Sequence, residues 1–227
     1  MRLWRWFLSL FRKATGMPTI RIINHSTLVN AVDLAAAAKA QQVQIDRDFV
    51  PYWGASKAAT IKTGKKARAG EWRFVLADTI DAAGALGYHT VHGVTPTAII
   101  DVALCQQDGV SWTSCLSHEV LEALADPFCN LTWPYPGGKQ VAYEVGDPVE
   151  RDGYLIDGVE VSNFVTPAWF QGGAGPFDYM QKLSAPLTLD RGGYIAVHDG
   201  SGWHQIFGDG ISQTPARYSR SKDRGSI

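Results

Sequence analysis

The residues able to do chemistry concentrate in one stretch, Ser117-His118-Glu119-Val120-Leu121-Glu122-Ala123-Leu124-Ala125-Asp126-Pro127. On a helix, His118 and Glu122 lie four residues apart and project from one face about 6 Å from each other, close enough to share a metal ion. Glu119 stands beside that pair, where it could take a proton from an activated water. The pattern is HExxH with its second histidine replaced by glutamate. Val120, Leu121 and Leu124 fall on the opposite side and would anchor the helix in a core. The competing reading is a set of ordinary polar residues on an exposed face.

A helix supplies two ligands, and a catalytic zinc needs a third from elsewhere with one position left open. Glu144, in Tyr143-Glu144-Val145-Gly146-Asp147, is the candidate third ligand. Asp147 could orient His118 through its other ring nitrogen. Asp126 competes for the ligand role but lies roughly 12 Å along the axis from His118, and reads better as a helix stop. One imidazole with two carboxylates cancels the charge of Zn²⁺, which leaves bound water less acidic and more proton abstraction for Glu119. Oxygen-rich ligation admits Ca²⁺ or Mn²⁺, although the imidazole favours a transition metal.

The elements that must position these groups follow from periodicity and punctuation. Thr19–Asn24 alternates as a strand, and Ala31–Phe49 reads as a helix ended by Pro51. Ala59–Thr63 and Trp72–Ala77 read as strands flanking a solvated hairpin tip at Lys65-Lys66-Ala67-Arg68. Ala83–Tyr88 is a Gly-rich bend, with Tyr88 or His89 as weaker candidates to steady an oxyanion, and Ile99–Leu104 is a further strand. Ser111–Ala125 is the strongest helix. Short strands follow at Ala142–Val145, Tyr154–Ile156, Val159–Ser162, Gly193–His198 and Trp203–Phe207. Thr166-Pro167-Ala168-Trp169-Phe170 reads as core packing, with a substrate shelf as the alternative. The order predicts an α+β fold with a mixed sheet and a central HExxE helix.

The HExxE helix followed by an ExxD segment is similar to the zincin metallopeptidases, nearest in layout to the gluzincin branch. RDFVPYWG (47–54), GALGYH (84–89), LSHEVLEALADP (116–127), AYEVGDPVE (142–150) and VSNFVTPAWF (161–170) resemble a family of zincin-like proteins of bacteria and tailed phages. The resemblance spans roughly residues 19–205. It implies a zincin fold, an edge strand above a cleft floored by the HExxE helix, with His118, Glu122 and Glu119 carried over by position.

Composition bounds the rest. The chain has 227 residues, 45% hydrophobic and 19% charged, enough to bury a core and too ordered in composition for general disorder. The formal net charge of −1 hides an asymmetry: residues 1–73 carry 13 Lys/Arg against 4 Asp/Glu, and residues 74–180 carry 2 against 14. An acidic middle suits a bound cation. Cys105, Cys115 and Cys129 cannot close a disulfide framework and match no zinc-ribbon spacing, so buried thiols are expected, with a Cys105–Cys115 bridge as the alternative. Asp147, Glu150, Asp152 and Asp157 could hold calcium, without EF-hand spacing.

Residues 1–16 read as a basic amphipathic helix. Its Arg/Lys strip lies beside Trp4, Trp6, Phe7 and Phe11, which would contact an anionic membrane surface or a partner protein. No cleavable signal peptide and no spanning segment is expected. Residues 17–210 are expected to form the zincin-like domain, and 211–227 a polar tail. The reading is a zinc-dependent peptidase-like hydrolase acting on polypeptide, cytoplasmic, membrane-peripheral or virion-associated. The alternative is a non-catalytic zincin scaffold serving as a virion or membrane-associated assembly component. No nucleotide loop or helix-turn-helix is present, so nucleic acid is not an expected partner.

Overall fold

The computed structural model describes residues 16–82 and 84–208. The amphipathic segment with Trp4, Trp6, Phe7 and Phe11, and the 211–227 tail, lie outside the described residues. The chain is α+β. Strands β1 (Thr19–Asn24), β2 (Thr60–Thr63), β3 (Trp72–Ala77), β4 (Gly87–His92) and β5 (Thr95–Asp101) build a mixed sheet in the order β2-β1-β3-β5-β4. All neighbouring pairs are parallel except β4–β5, so the last strand runs against the others at the edge.

β1 lies between β2 and β3, and pairs with both in parallel. The basic 65–68 cluster is therefore not the tip of a hairpin; it lies in a connection carrying the chain across β1. The strand expected at 99–104 is displaced. β5 ends at Asp101, whose carboxylate caps the next helix by accepting from the Leu104 N–H (2.9 Å), and Val102–Gln107 forms α3.

The long helix predicted over 31–49 is α1 (Ala31–Val43) continued by a π-helical turn, Gln44–Phe49, and by α2 (Val50–Trp53). Pro51 does not end it. The Val50 N–H reaches back to the Ile45 carbonyl, the wider i→i−5 step, which relaxes the crowding that an α-turn imposes on a proline ring. The stop comes at Gly54, whose φ of 89° lies where glycine is favoured.

α4 (Trp112–Ala125) packs against β4 and β5 on one side and β9 (Val159–Ser162) on the other. Every residue from Leu116 to Ala125 is buried. β6 (Thr132–Tyr135) and β7 (Lys139–Ala142) form a hairpin that joins β10 (Tyr194–His198) and β11 (Trp203–Phe207) in a second, four-stranded antiparallel sheet. β8 (Gly153–Ile156) pairs with β9. α5 (Pro167–Gln171) places Trp169 and Phe170 in the core beside Trp53 and Tyr143, as its aromatic run predicts. No helix among the described residues is long and apolar enough to cross a membrane.

Candidate metal centre

α4 turns its polar residues inward, toward β4 and the 143–150 segment, rather than to solvent. His118, Glu119 and Glu122 are only 8, 3 and 0% exposed, which discards the exposed-face reading. Val120, Leu121 and Leu124 fill the core behind them, as the helical spacing requires.

The helix is pinned just before its histidine. The Ser117 hydroxyl donates to Gln44 Oε1 (2.6 Å) and accepts from the Ser162 N–H (3.0 Å), while Gln44 Nε2 donates to the Ser162 carbonyl (2.8 Å). Gln44 opens the π-helical turn, and four residues on Asp48 accepts from Arg47, Tyr154 and Tyr179. Burial works against ionised Asp48, but these donors outweigh it and hold its pKa below the usual carboxylate range.

His118 Nε2 lies 3.0 Å from Glu122 Oε1 and 3.3 Å from Asp147 Oδ1, and its Nδ1 lies 3.9 Å from Glu150 Oε2. Burial disfavours a charged ring, yet the carboxylates of Glu122, Glu150 and Asp147 outweigh it, so the imidazole pKa stands well above its ordinary value. The same carboxylates that hold a proton on this ring would hold a cation beside it. Ligand bonds of about 2.0–2.2 Å at the tetrahedral angle place neighbouring zinc donors roughly 3.3–3.6 Å apart. The His118–Asp147 separation of 3.3 Å fits that edge, and the His118–Glu122 separation of 3.0 Å falls just short of it.

Gly146 makes the approach sterically feasible. A Cβ there would fall 2.5 Å from His118 Nδ1, so only glycine lets the 143–150 segment press against the ring. The Gly146 N–H also donates to Glu122 Oε1 (3.3 Å).

Opposite α4, β4 contributes His89. Its Nδ1 is 3.2 Å from Glu119 Oε2 and 3.4 Å from Glu122 Oε2, and its Nε2 is 3.8 Å from Glu144 Oε2. Gly87, two residues earlier on the same face, lies over Glu119, and a Cβ there would meet the Ile99 carbonyl at 3.2 Å and Glu119 Oε1 at 3.4 Å. Tyr88 points to the other face and donates to Asp81 (2.6 Å).

The structure thus brings together the residues singled out from the sequence but redistributes them. Glu144, expected beside His118, stands on the His89 side. Asp147, expected on the other ring nitrogen, meets Nε2, and Glu150 faces Nδ1 instead. Two groups with metal-holding geometry result, His89-Glu119-Glu122 and His118-Asp147-Glu150. Asp126 belongs to neither: it ends α4, its Oδ2 accepting from the Leu131 N–H (2.8 Å).

The calcium set disperses, with Asp157 paired to Lys39 and Asp152 to Asp190. Cys105 and Cys115 are free thiols with sulfurs 3.4 Å apart.

The sequence places His89 in a Gly-rich bend, whereas it lies in the middle of β4. The overlooked signal is Gly93-Val94, a two-residue connection with Gly93 at φ 66°, which closes β4 and β5 into a hairpin.

Comparison of the chain with protein-family models, curated proteins and solved structures found no match in any of the three.

Proposed function

We propose that this protein is a zinc-dependent, peptidase-like hydrolase of zincin type. The observation that carries the reading is that His118 Nε2 faces both Glu122 Oε1 (3.0 Å) and Asp147 Oδ1 (3.3 Å), with a buried Glu119 next to it on the helix. His118, Glu122 and Asp147 would hold the ion, and Glu150 would face the far nitrogen of the ring. A zinc ion there would supply Lewis-acid polarisation of a carbonyl and a lowered pKa for water.

The chain's own residues supply the rest. Glu119 accepts the proton of the attacking water and returns it to the leaving amine. β4 is the terminal strand of its sheet, and an extended polypeptide pairing with its outer edge would pass close to His89. That geometry favours a polypeptide substrate over a compact small molecule.

The test compares zinc content and casein hydrolysis in wild type and Glu119→Gln. The expectation is zinc retained at the His118-Glu122-Asp147 position and at least a ~100-fold loss of hydrolysis, within the range for removal of a general base. A wild-type protein that binds zinc tightly and hydrolyses no polypeptide would favour a zincin-like scaffold with an assembly role, and one that binds no zinc would reject the site.

A further inference from the structure

The hydrolase site above uses one imidazole, yet the cleft repeats the same arrangement around a second. Each ring turns one nitrogen to two carboxylate oxygens and its other nitrogen to a more distant carboxylate. For His118 these are Glu122 (3.0 Å) and Asp147 (3.3 Å), then Glu150 (3.9 Å). For His89 they are Glu119 (3.2 Å) and Glu122 (3.4 Å), then Glu144 (3.8 Å). Glu122 is common to both, with Oε1 toward His118 and Oε2 toward His89. A carboxylate so placed is disposed to bridge two cations.

We propose that the cleft takes two divalent transition-metal ions side by side, with Glu122 bridging them. This rests on the metal-dependent reading and extends it to a second position. His118 and Asp147 complete the first, with Glu150 behind the ring. His89 and Glu119 complete the second, with Glu144 behind the ring, the outer carboxylates serving to orient each imidazole. Glu119 contributes Oε2 there and keeps Oε1, which lies against Gly87.

Charge argues the same way. Glu119, Glu122, Glu144 and Asp147 are each at most 3% exposed, and Glu150 adjoins them. One dication against these five carboxylates leaves three negative charges for other groups to offset, whereas two leave one. Two imidazoles among carboxylates select a transition metal over calcium.

The test is stoichiometry, read by native mass spectrometry and zinc titration calorimetry on the full chain. Wild type is expected to hold two zinc ions, and His89→Gln and Asp147→Asn one each. Manganese(II)-loaded wild type is expected to give a spin-coupled electron paramagnetic resonance spectrum that Glu122→Gln abolishes. One zinc per wild-type chain with no spin coupling overturns the second position and leaves the hydrolase reading standing. No bound zinc removes both. Should the variants fail to fold by circular dichroism, wild-type stoichiometry and its manganese spectrum decide the matter alone.

Discussion

Glu122 is the residue on which the candidate metal centre turns. It is fully buried, it receives the Gly146 N–H, and its two oxygens face two different imidazoles. In an HExxH helix that position would carry a ring with one ligating nitrogen; a carboxylate has two oxygens and can serve two neighbours. Gly146 is the complementary residue, since its missing side chain admits the His118 ring. Gly146→Ala places a methyl group 2.5 Å from Nδ1 and must displace the imidazole. Displacing a ligand's support typically costs 10–100-fold in metal affinity, so zinc affinity should fall by at least ~10-fold while far-UV circular dichroism is unchanged. Unaltered zinc affinity would mean the ring does not ligate.

At the scale of elements, precision at the site depends on how α4 is held. Ser117 ties it to the π-helical turn and to β9 at once. Ser117→Ala leaves Gln44 Oε1 and the Ser162 N–H without that hydroxyl in a fully buried place, a loss of about 1–3 kcal/mol per unsatisfied group. Chemical denaturation should show a lowered midpoint with an unchanged slope; an unchanged midpoint would show that Gln44 finds another donor. At the other end, Lys57 donates to the Ala125 carbonyl (2.9 Å), placing a cation at the helix C-terminus, where the macrodipole favours one. The π-helical turn was invisible to periodicity because it differs from an α-turn by one residue. Pro51 gave the only hint, and its effect was to widen the helix rather than stop it.

For the whole molecule, the first sheet is tied to the loop beyond β2 by an ion pair remote from the cleft. Arg21 on β1 donates to Glu71 through Nε (2.9 Å) and Nη2 (2.5 Å), and Glu71 also accepts from the Arg68 N–H (2.9 Å). The Arg21 hydrogen bonds, then that amide, lower the Glu71 pKa from 4.5 to about 2. A folded-state pKa below the unfolded one means the unfolded chain binds the extra proton. The pair's contribution is therefore full above pH 4.5 and is lost as pH falls toward about 2. Stability of wild type should drop over that window more steeply than that of Glu71→Gln, measured by thermal melts from pH 2 to 6. Parallel curves would show that the pair contributes nothing to folding.

By itself, the sequence determined the features that depend on neighbours three or four residues away. The HExxE face of α4, its apolar back, β1, β3, β9 and β11, and the packing role of Trp169 and Phe170 were all legible from spacing and residue type. The acidic bias of residues 74–180 marked the stretch that carries both groups with metal-holding geometry. Tertiary structure alone decided which distant groups meet them. His89 reaches Glu119 because β4 folds back on β5 as an antiparallel edge, and a pairing between strands leaves only a weak local trace. Asp147 rather than Glu144 meets His118 because the chain enters a 3₁₀ turn at Asp147–Val149 just after Gly146 has brought it against the ring. Helical neighbours are set by a fixed rise and rotation per residue, whereas strand partners and loop directions are set by how the whole chain packs.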